Sequence, residues 1–186
     1  LQEIAAFIEE IVERKRSQPG DDIISRLIAT GELTNEELCN ITNLLLFAGY
    51  ETTESALAVG VFALLAHPEQ LSALRADPTK MDGAIEEILR YLTVNQHEII
   101  RTALEDVELA GEVVRKGETV TISLPAANRD PAKFGCPAEL DLDRTTAGHL
   151  AFGHGIHQCI GQNLARTELR VALSALLQAF PDLRLA

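Results

Sequence analysis

Residues 151–161 read AFGHGIHQCIG, with three glycines, two histidines and a cysteine in eleven positions ahead of a long apolar-periodic run. Gly153, Gly155 and Gly161 allow tight turns and a close approach of the backbone to a flat object. Cys159 stands just before a helix start, where unpaired N–H groups and the helix dipole favour an anionic thiolate.

Three readings of Cys159 follow from the residues alone. It can be a small buried hydrophobe, the common role of an unpaired cysteine. It can join His154 and His157 as zinc ligands, although H-x-x-H-x-C is crowded and lacks a matching second pair. Or it can be a thiolate held in a turn and shielded by Phe152, which suits an axial ligand on haem iron.

The rest of the chain narrows the setting. Its 186 residues are 46% hydrophobic, enough for one ordinary core. Lys and Arg number 16 against 28 Asp and Glu, a net charge of -12, which argues against nonspecific nucleic-acid binding and a basic membrane-surface patch. Cys39, Cys136 and Cys159 are odd in number and widely spaced, so a reduced, cytoplasmic setting is expected rather than a disulfide scaffold. The longest apolar run, Ala56–Ala66, falls short of the ~20 residues of a membrane span. The chain opens without Met inside a helical pattern and stops at FPDLRLA, which reads as a piece of a larger protein.

Periodicity predicts a mainly α chain with a small β part. A first helix stops near Pro19-Gly20, and Asp21-Asp22 cap a second, IISRLIAT, that Gly31 ends. Thr34 and Glu37 form a capping box at the head of a helix of about 30 residues, roughly 45 Å long. Pro68 suits the first position of the next helix, and MDGAIEEILRYL forms another, ending near Val94. VELAG and ETVTISL have strand character, with Lys116-Gly117 as a turn between short strands. A polar, proline-punctuated loop follows, then a final helix with apolar residues at 165, 169, 172, 173, 176, 177 and 180. One cooperative unit is expected.

FGHGIHQCIGQNLAR resembles the haem-binding loop of the cytochromes P-450, F-x-x-G-x-[HR]-x-C-x-G, and Phe152, Gly155, His157, Cys159 and Gly161 fill every position. The resemblance implies that Cys159 ligates iron, that His157 reaches a haem propionate, and that Gly153 also lines the cofactor. AGYETT, from Ala48 to Thr53, is similar to the family's A-G-x-[DE]-T-[TS] segment over the distal haem face. There Gly49 and a threonine four residues on can loosen the helical ladder. By resemblance Ala48 and Gly49 border the cofactor, Thr52 hydrogen-bonds bound dioxygen, and Glu51 relays protons. From the residues alone, Thr52 and Thr53 would instead back-bond one turn earlier and Glu51 would face solvent.

The helical wheel of MDGAIEEILRYL sets Glu87 and Arg90 opposite the apolar residues, as a solvated i,i+3 pair. The resemblance to the family's E-x-x-R makes them instead an internal ion pair bracing the haem-loop core. Arg101 matches an arginine that holds the second propionate; read alone, it is a strand-end surface arginine within reach of Glu98. In one departure, Pro137-Ala138-Glu139-Leu140 occupies the place of P-x-R-F, so Glu139 stands where an arginine is expected, with Arg144 close enough to compensate.

The resemblance implies that residues 1–186 are one incomplete domain, the C-terminal haem-binding portion, lacking the N-terminal half and the last strands. The whole enzyme would be a haem-thiolate monooxygenase using haem b and O2 to hydroxylate or epoxidise a small organic substrate. Its electrons would come ultimately from NAD(P)H through ferredoxin reductase and ferredoxin, as in soluble actinomycete-type members, with neither nucleic acid nor membrane as partner. Leu44, Phe47, Ala48, Val94, Asn95 and Gln96 are the expected substrate contacts. The alternative is a non-catalytic truncated homologue or helper protein without stable haem.

Overall fold

Two acidic caps organise the start of the chain in the computed structural model, which describes residues 2–96 and 99–185. Helix α1 spans Gln2–Ser17 and α2 spans Ile23–Thr30. The Asp22 carboxylate caps α2 by accepting the Ser25 N–H at 2.9 Å, and Gly31 closes the helix in the left-handed conformation. Helix α3 then covers Asn35–Ala66. Its capping box is closed, since Glu37 Oε2 accepts the Thr34 N–H at 2.8 Å and Thr34 Oγ1 accepts the Glu37 N–H at 3.2 Å. The helix runs unbroken through Gly49–Thr53, so the looser ladder expected there does not interrupt it.

Helix α4, Pro68–Ala76, begins on its proline, and a single 3-10 turn at Pro78–Lys80 leads into α5, Met81–Leu92. Four short strands follow: β1 Ile99–Thr102, β2 Val107–Leu109, β3 Glu112–Val114 and β4 Thr119–Ile122. Lys116-Gly117 is a turn between two short strands, as the sequence indicated, and those strands lie in different sheets: β1 pairs antiparallel with β4, and β2 with β3. The tight hairpin turn is Ala110-Gly111, where both residues take positive φ as a type I′ turn requires. A short helix α6, Leu124–Ala127, opens the long loop, and α7, Gln162–Ala179, closes the fold.

The chain divides into two compact units, Leu1–Glu51 and Thr52–Ala186. In the first, α1 packs on α2 and buries Ile8 and Val12. The second has its own core, in which Ala63 and Leu64 of α3, Leu71 and Leu74 of α4, Ile85 and Ile88 of α5, and Leu169 and Leu173 of α7 converge. Each long helix of this unit thus contributes one apolar stripe to a shared centre, and α5 carries the most buried residues of them. Among the described residues no single helix is long and apolar enough to cross a membrane; α3 and α4 pass that test only as a pair bent by 101°.

The Lys15 ammonium, 2.7 Å away, and the Ser25 N–H hold the Asp22 carboxyl at about 2, below its ordinary 3.8. Because the folded value lies below the unfolded one, this stabilisation is complete at neutral pH and is lost as pH falls from about 4 toward 2. Asp22→Ala is therefore expected to lower the thermal midpoint most at neutral pH, with the gap to wild type narrowing on acidification. Circular-dichroism melts across that range check it, and a gap independent of pH would contradict it.

Candidate haem-thiolate site

The site is built on the charged face of α5. Glu87 and Arg90 are both fully buried, and the Glu87 carboxylate receives Arg90 Nε at 2.7 Å and Nη2 at 2.8 Å. The solvated pair read from the helical wheel is thereby corrected. A wheel assumes one wet face, and α5 is enclosed around most of its circumference. Arg90 donates its remaining hydrogens to the carbonyls of Asn128 (2.8 Å), Pro137 (3.0 Å) and Glu139 (3.2 Å), so all five guanidinium N–H groups have acceptors. The Phe134 ring lies 5.3 Å from the guanidinium carbon.

Arg144 completes the arrangement. Its Nε donates to Glu87 Oε1 at 3.1 Å, and its Nη groups donate to the carbonyls of Gly135, Cys136 and Glu139. The missing arginine at position 139 is thus replaced from five residues downstream. Residue 139 contributes its carbonyl, while its own carboxylate takes no part. The Asp141 N–H also donates to Glu87 Oε1 at 3.0 Å. The stretch from Asn128 to Asp141 is thereby pinned at six backbone positions.

From this anchor the order passes to the cysteine loop. Asn128, fully buried, donates from Nδ2 to Thr93 Oγ1 at 2.8 Å and accepts the Leu150 N–H on Oδ1 at 2.6 Å. The Leu150 carbonyl accepts the Gly153 N–H, and the Phe152 carbonyl accepts the Cys159 N–H, both at 2.9 Å. Gly153 and Gly155 take φ of 71° and 74°, which only glycine adopts without strain, so their spacing is set by the turn itself. Asn128 was missed in the sequence because it falls in the polar, proline-punctuated stretch that reads as an irregular loop. The Glu86 contacts to His149 and Arg166 were missed too, being pairings 63 and 80 residues apart with no periodic signature.

Cys159 is exposed, which overturns its reading as a buried hydrophobe. No three His, Cys, Asp or Glu side chains converge to hold a metal ion among the described residues, so the zinc reading has no geometry. The loop around the thiol is open. Ile156 is 96% exposed and Ile160 93%, while a Cβ placed on Gly161 would lie 4.0 Å from the sulfur. One soft ligand on an open loop that carries exposed isoleucines fits the iron and flat face of haem.

The other candidates fall as follows. His157 ends a 3-10 turn, Gly155–His157, and is exposed. Phe152 is half-buried against the core, with the Arg166 guanidinium carbon 4.5 Å from its ring centre, and its carbonyl accepts the Cys159 N–H. Arg101 is exposed on β1 and donates from Nη1 to the Ile100 carbonyl at 2.9 Å; Glu98 lies outside the described residues. Val94 is half-buried against the core, Asn95 and Gln96 are exposed, and Thr52 is half-buried in the same unit as the loop. Leu44, Phe47, Ala48, Gly49 and Glu51 belong to the first unit, all on exposed positions of α3.

The Cytochrome P450 family model matches residues 1–181. Cytochrome P450 105C1 of a Streptomyces species is 55% identical over 96% of this chain and 47% of its own length. The P450 monooxygenase PikC of Streptomyces venezuelae is 47% identical over 100% of this chain and 46% of its own. The solved structure of Streptomyces peucetius CYP105P2 in complex with a biphenyl compound superposes with a TM-score of 0.95 at 42% identity, covering 100% of this chain and 48% of that one. A protein with an exposed cysteine loop and a mainly α, partial P450 fold is the class these observations define. The chain belongs to the cytochrome P450 family, and it spans about half the length of the curated relatives it matches.

Removing Arg144 leaves Glu87 short of one charged donor, and Arg144→Ala is expected to cost about 1–3 kcal/mol. Glu87→Ala leaves two arginines facing no carboxylate and is expected to cost more, about 3–5 kcal/mol. Glu139→Ala should stay within about 0.5 kcal/mol of wild type, because only its carbonyl is used. Denaturant unfolding of the three variants checks this order.

Proposed function

We propose that this chain is the C-terminal, haem-binding portion of a cytochrome P450 monooxygenase, forming one incomplete domain that lacks the N-terminal half and the last strands. The observation that carries the reading is the exposed Cys159, held by its amide to the Phe152 carbonyl in a loop whose Ile156 and Ile160 are also exposed. Haem b, when bound, supplies dioxygen activation at a thiolate-ligated iron.

The chain's own residues do the rest. Cys159 provides the thiolate, and the Phe152 carbonyl fixes the turn that presents it. Ile156 and Ile160 keep water from the covered face. His157 and Arg101 bind the two propionate carboxylates by charge-assisted hydrogen bonds. The Thr52 hydroxyl orients dioxygen, and the Glu51 carboxylate passes it protons from solvent. Ala48 and Gly49 leave room beside the cofactor, and Leu44, Phe47, Val94, Asn95 and Gln96 border the substrate. The whole enzyme would hydroxylate or epoxidise a small organic substrate, drawing NAD(P)H electrons through ferredoxin reductase and ferredoxin. Its three free cysteines suit a cytoplasmic setting. The alternative of a helper without haem draws no support from the open thiolate loop.

Purified protein, loaded with haem, reduced and exposed to carbon monoxide, is expected to show the red-shifted Soret band of a thiolate ligand, and Cys159→Ser to abolish it. A folded, colourless wild-type protein would overturn the reading. In the complete enzyme, Thr52→Ala is expected to consume reductant while forming less oxygenated product; unchanged coupling would remove Thr52 from the proton path.

A further inference from the structure

We infer that Glu86 is a positioning residue that staples both ends of the Cys159 loop, through His149 before it and Arg166 after it. The inference rests on the haem reading above for its functional consequence, although the staple itself is a matter of geometry.

Glu86 precedes the Glu87 hub, yet its carboxylate serves different partners. Oε1 accepts Arg166 Nε at 2.6 Å and Oε2 accepts Arg166 Nη2 at 3.1 Å, a two-pronged pair. Oε2 also lies 2.8 Å from His149 Nε2. The His149 Nδ1 atom accepts the Ala151 N–H at 3.2 Å, so the proton facing Glu86 sits on Nε2. One carboxylate therefore ties together two points that flank the whole AFGHGIHQCIG segment. Closing a loop in this way removes the freedom its ends would otherwise have.

The contact does not stop at the ends. The Arg166 guanidinium carbon lies 4.5 Å from the centre of the Phe152 ring, and its Nη1 donates to Gln162 Oε1 at 3.0 Å. The His149 ring lies 6.2 Å from the same phenyl ring. Phe152 is thus held by a plane that Glu86 holds in turn, and the Phe152 carbonyl holds the Cys159 amide. Partial burial pushes the Glu86 carboxyl up, but the hydrogen bonds from His149 and Arg166 and the Arg166 charge outweigh it and leave the group at about 2. The carboxylate is therefore committed to these partners across the physiological range.

Two substitutions separate this role from bulk stability. Glu86→Gln keeps the shape and removes the charge. Arg166→Lys keeps the charge and removes the flat, two-pronged surface over Phe152. Arg170→Ala is the control, because Arg170 pairs with Asp82 between the same two helices at an exposed position away from the loop.

In the protein without haem, both substitutions are expected to raise hydrogen exchange at the Cys159 amide about tenfold, with core amides of α5 and α7 unchanged. In the haem-loaded protein they should move part of the reduced carbon monoxide complex from the red-shifted band to the unshifted one and displace the iron reduction potential. Arg170→Ala should do neither. Full retention of wild-type behaviour by Arg166→Lys, or an equal loss of protection along the whole of α5 and α7, would overturn the staple. A wild-type protein without the red-shifted band would overturn the haem reading alone, while the exchange measurement decides the staple.

Discussion

A carboxylate with no access to water must have its oxygens occupied by donors, and Glu87 meets that demand inside the second unit of this protein. Two guanidinium groups and one backbone N–H converge on it. Burying three charged groups is expensive, and a packed apolar cluster of the same volume would often be as stable. What the ionic cluster adds is direction. Arg90 and Arg144 have more donors than Glu87 can accept, and the surplus reaches backbone carbonyls of the long loop. A polar, proline-punctuated segment that cannot order itself by helix or sheet is ordered by the helix beneath it.

Consecutive residues on a helix point about 100° apart, and α5 uses that angle. Glu87 governs the stretch from Asn128 to Arg144, while Glu86 meets His149 and Arg166 on either side of the cysteine loop. Asn128 joins the two systems, since its carbonyl accepts Arg90 and its side chain accepts the Leu150 N–H. The thiol is consequently exposed, yet its loop is supported by fixed polar contacts. That combination suits a ligand that must stay in place while the group it binds takes up an open face.

Much of this was legible in the sequence. The Asp22 cap, the Gly31 stop, the Thr34–Glu37 box and the Pro68 start are local signals, each set by residues within one helical turn. The cysteine loop stood out because three glycines cluster in it, and two of them, Gly153 and Gly155, take positive φ. What failed to show was non-local. The strand Ile99–Thr102 finds its partner only at 119–122, a pairing that the Lys116-Gly117 turn between neighbouring strands does not reveal. The wheel of α5 placed Glu87 and Arg90 in water because periodicity cannot foresee a helix enclosed on its polar side as well. Arg144 was visible as a neighbour of the Glu139 departure, but its pairing with Glu87 across 57 residues was not.

The central claim is that this supported loop presents Cys159 as a ligand to haem iron. X-ray absorption at the iron edge of the haem-loaded protein tests it most directly, because it reports the atoms bound to the metal. The account predicts a sulfur neighbour at bonding distance in the wild-type protein and its replacement by a lighter atom, or loss of the iron, in Cys159→Ser. A folded wild-type protein whose iron has only nitrogen and oxygen neighbours would contradict it.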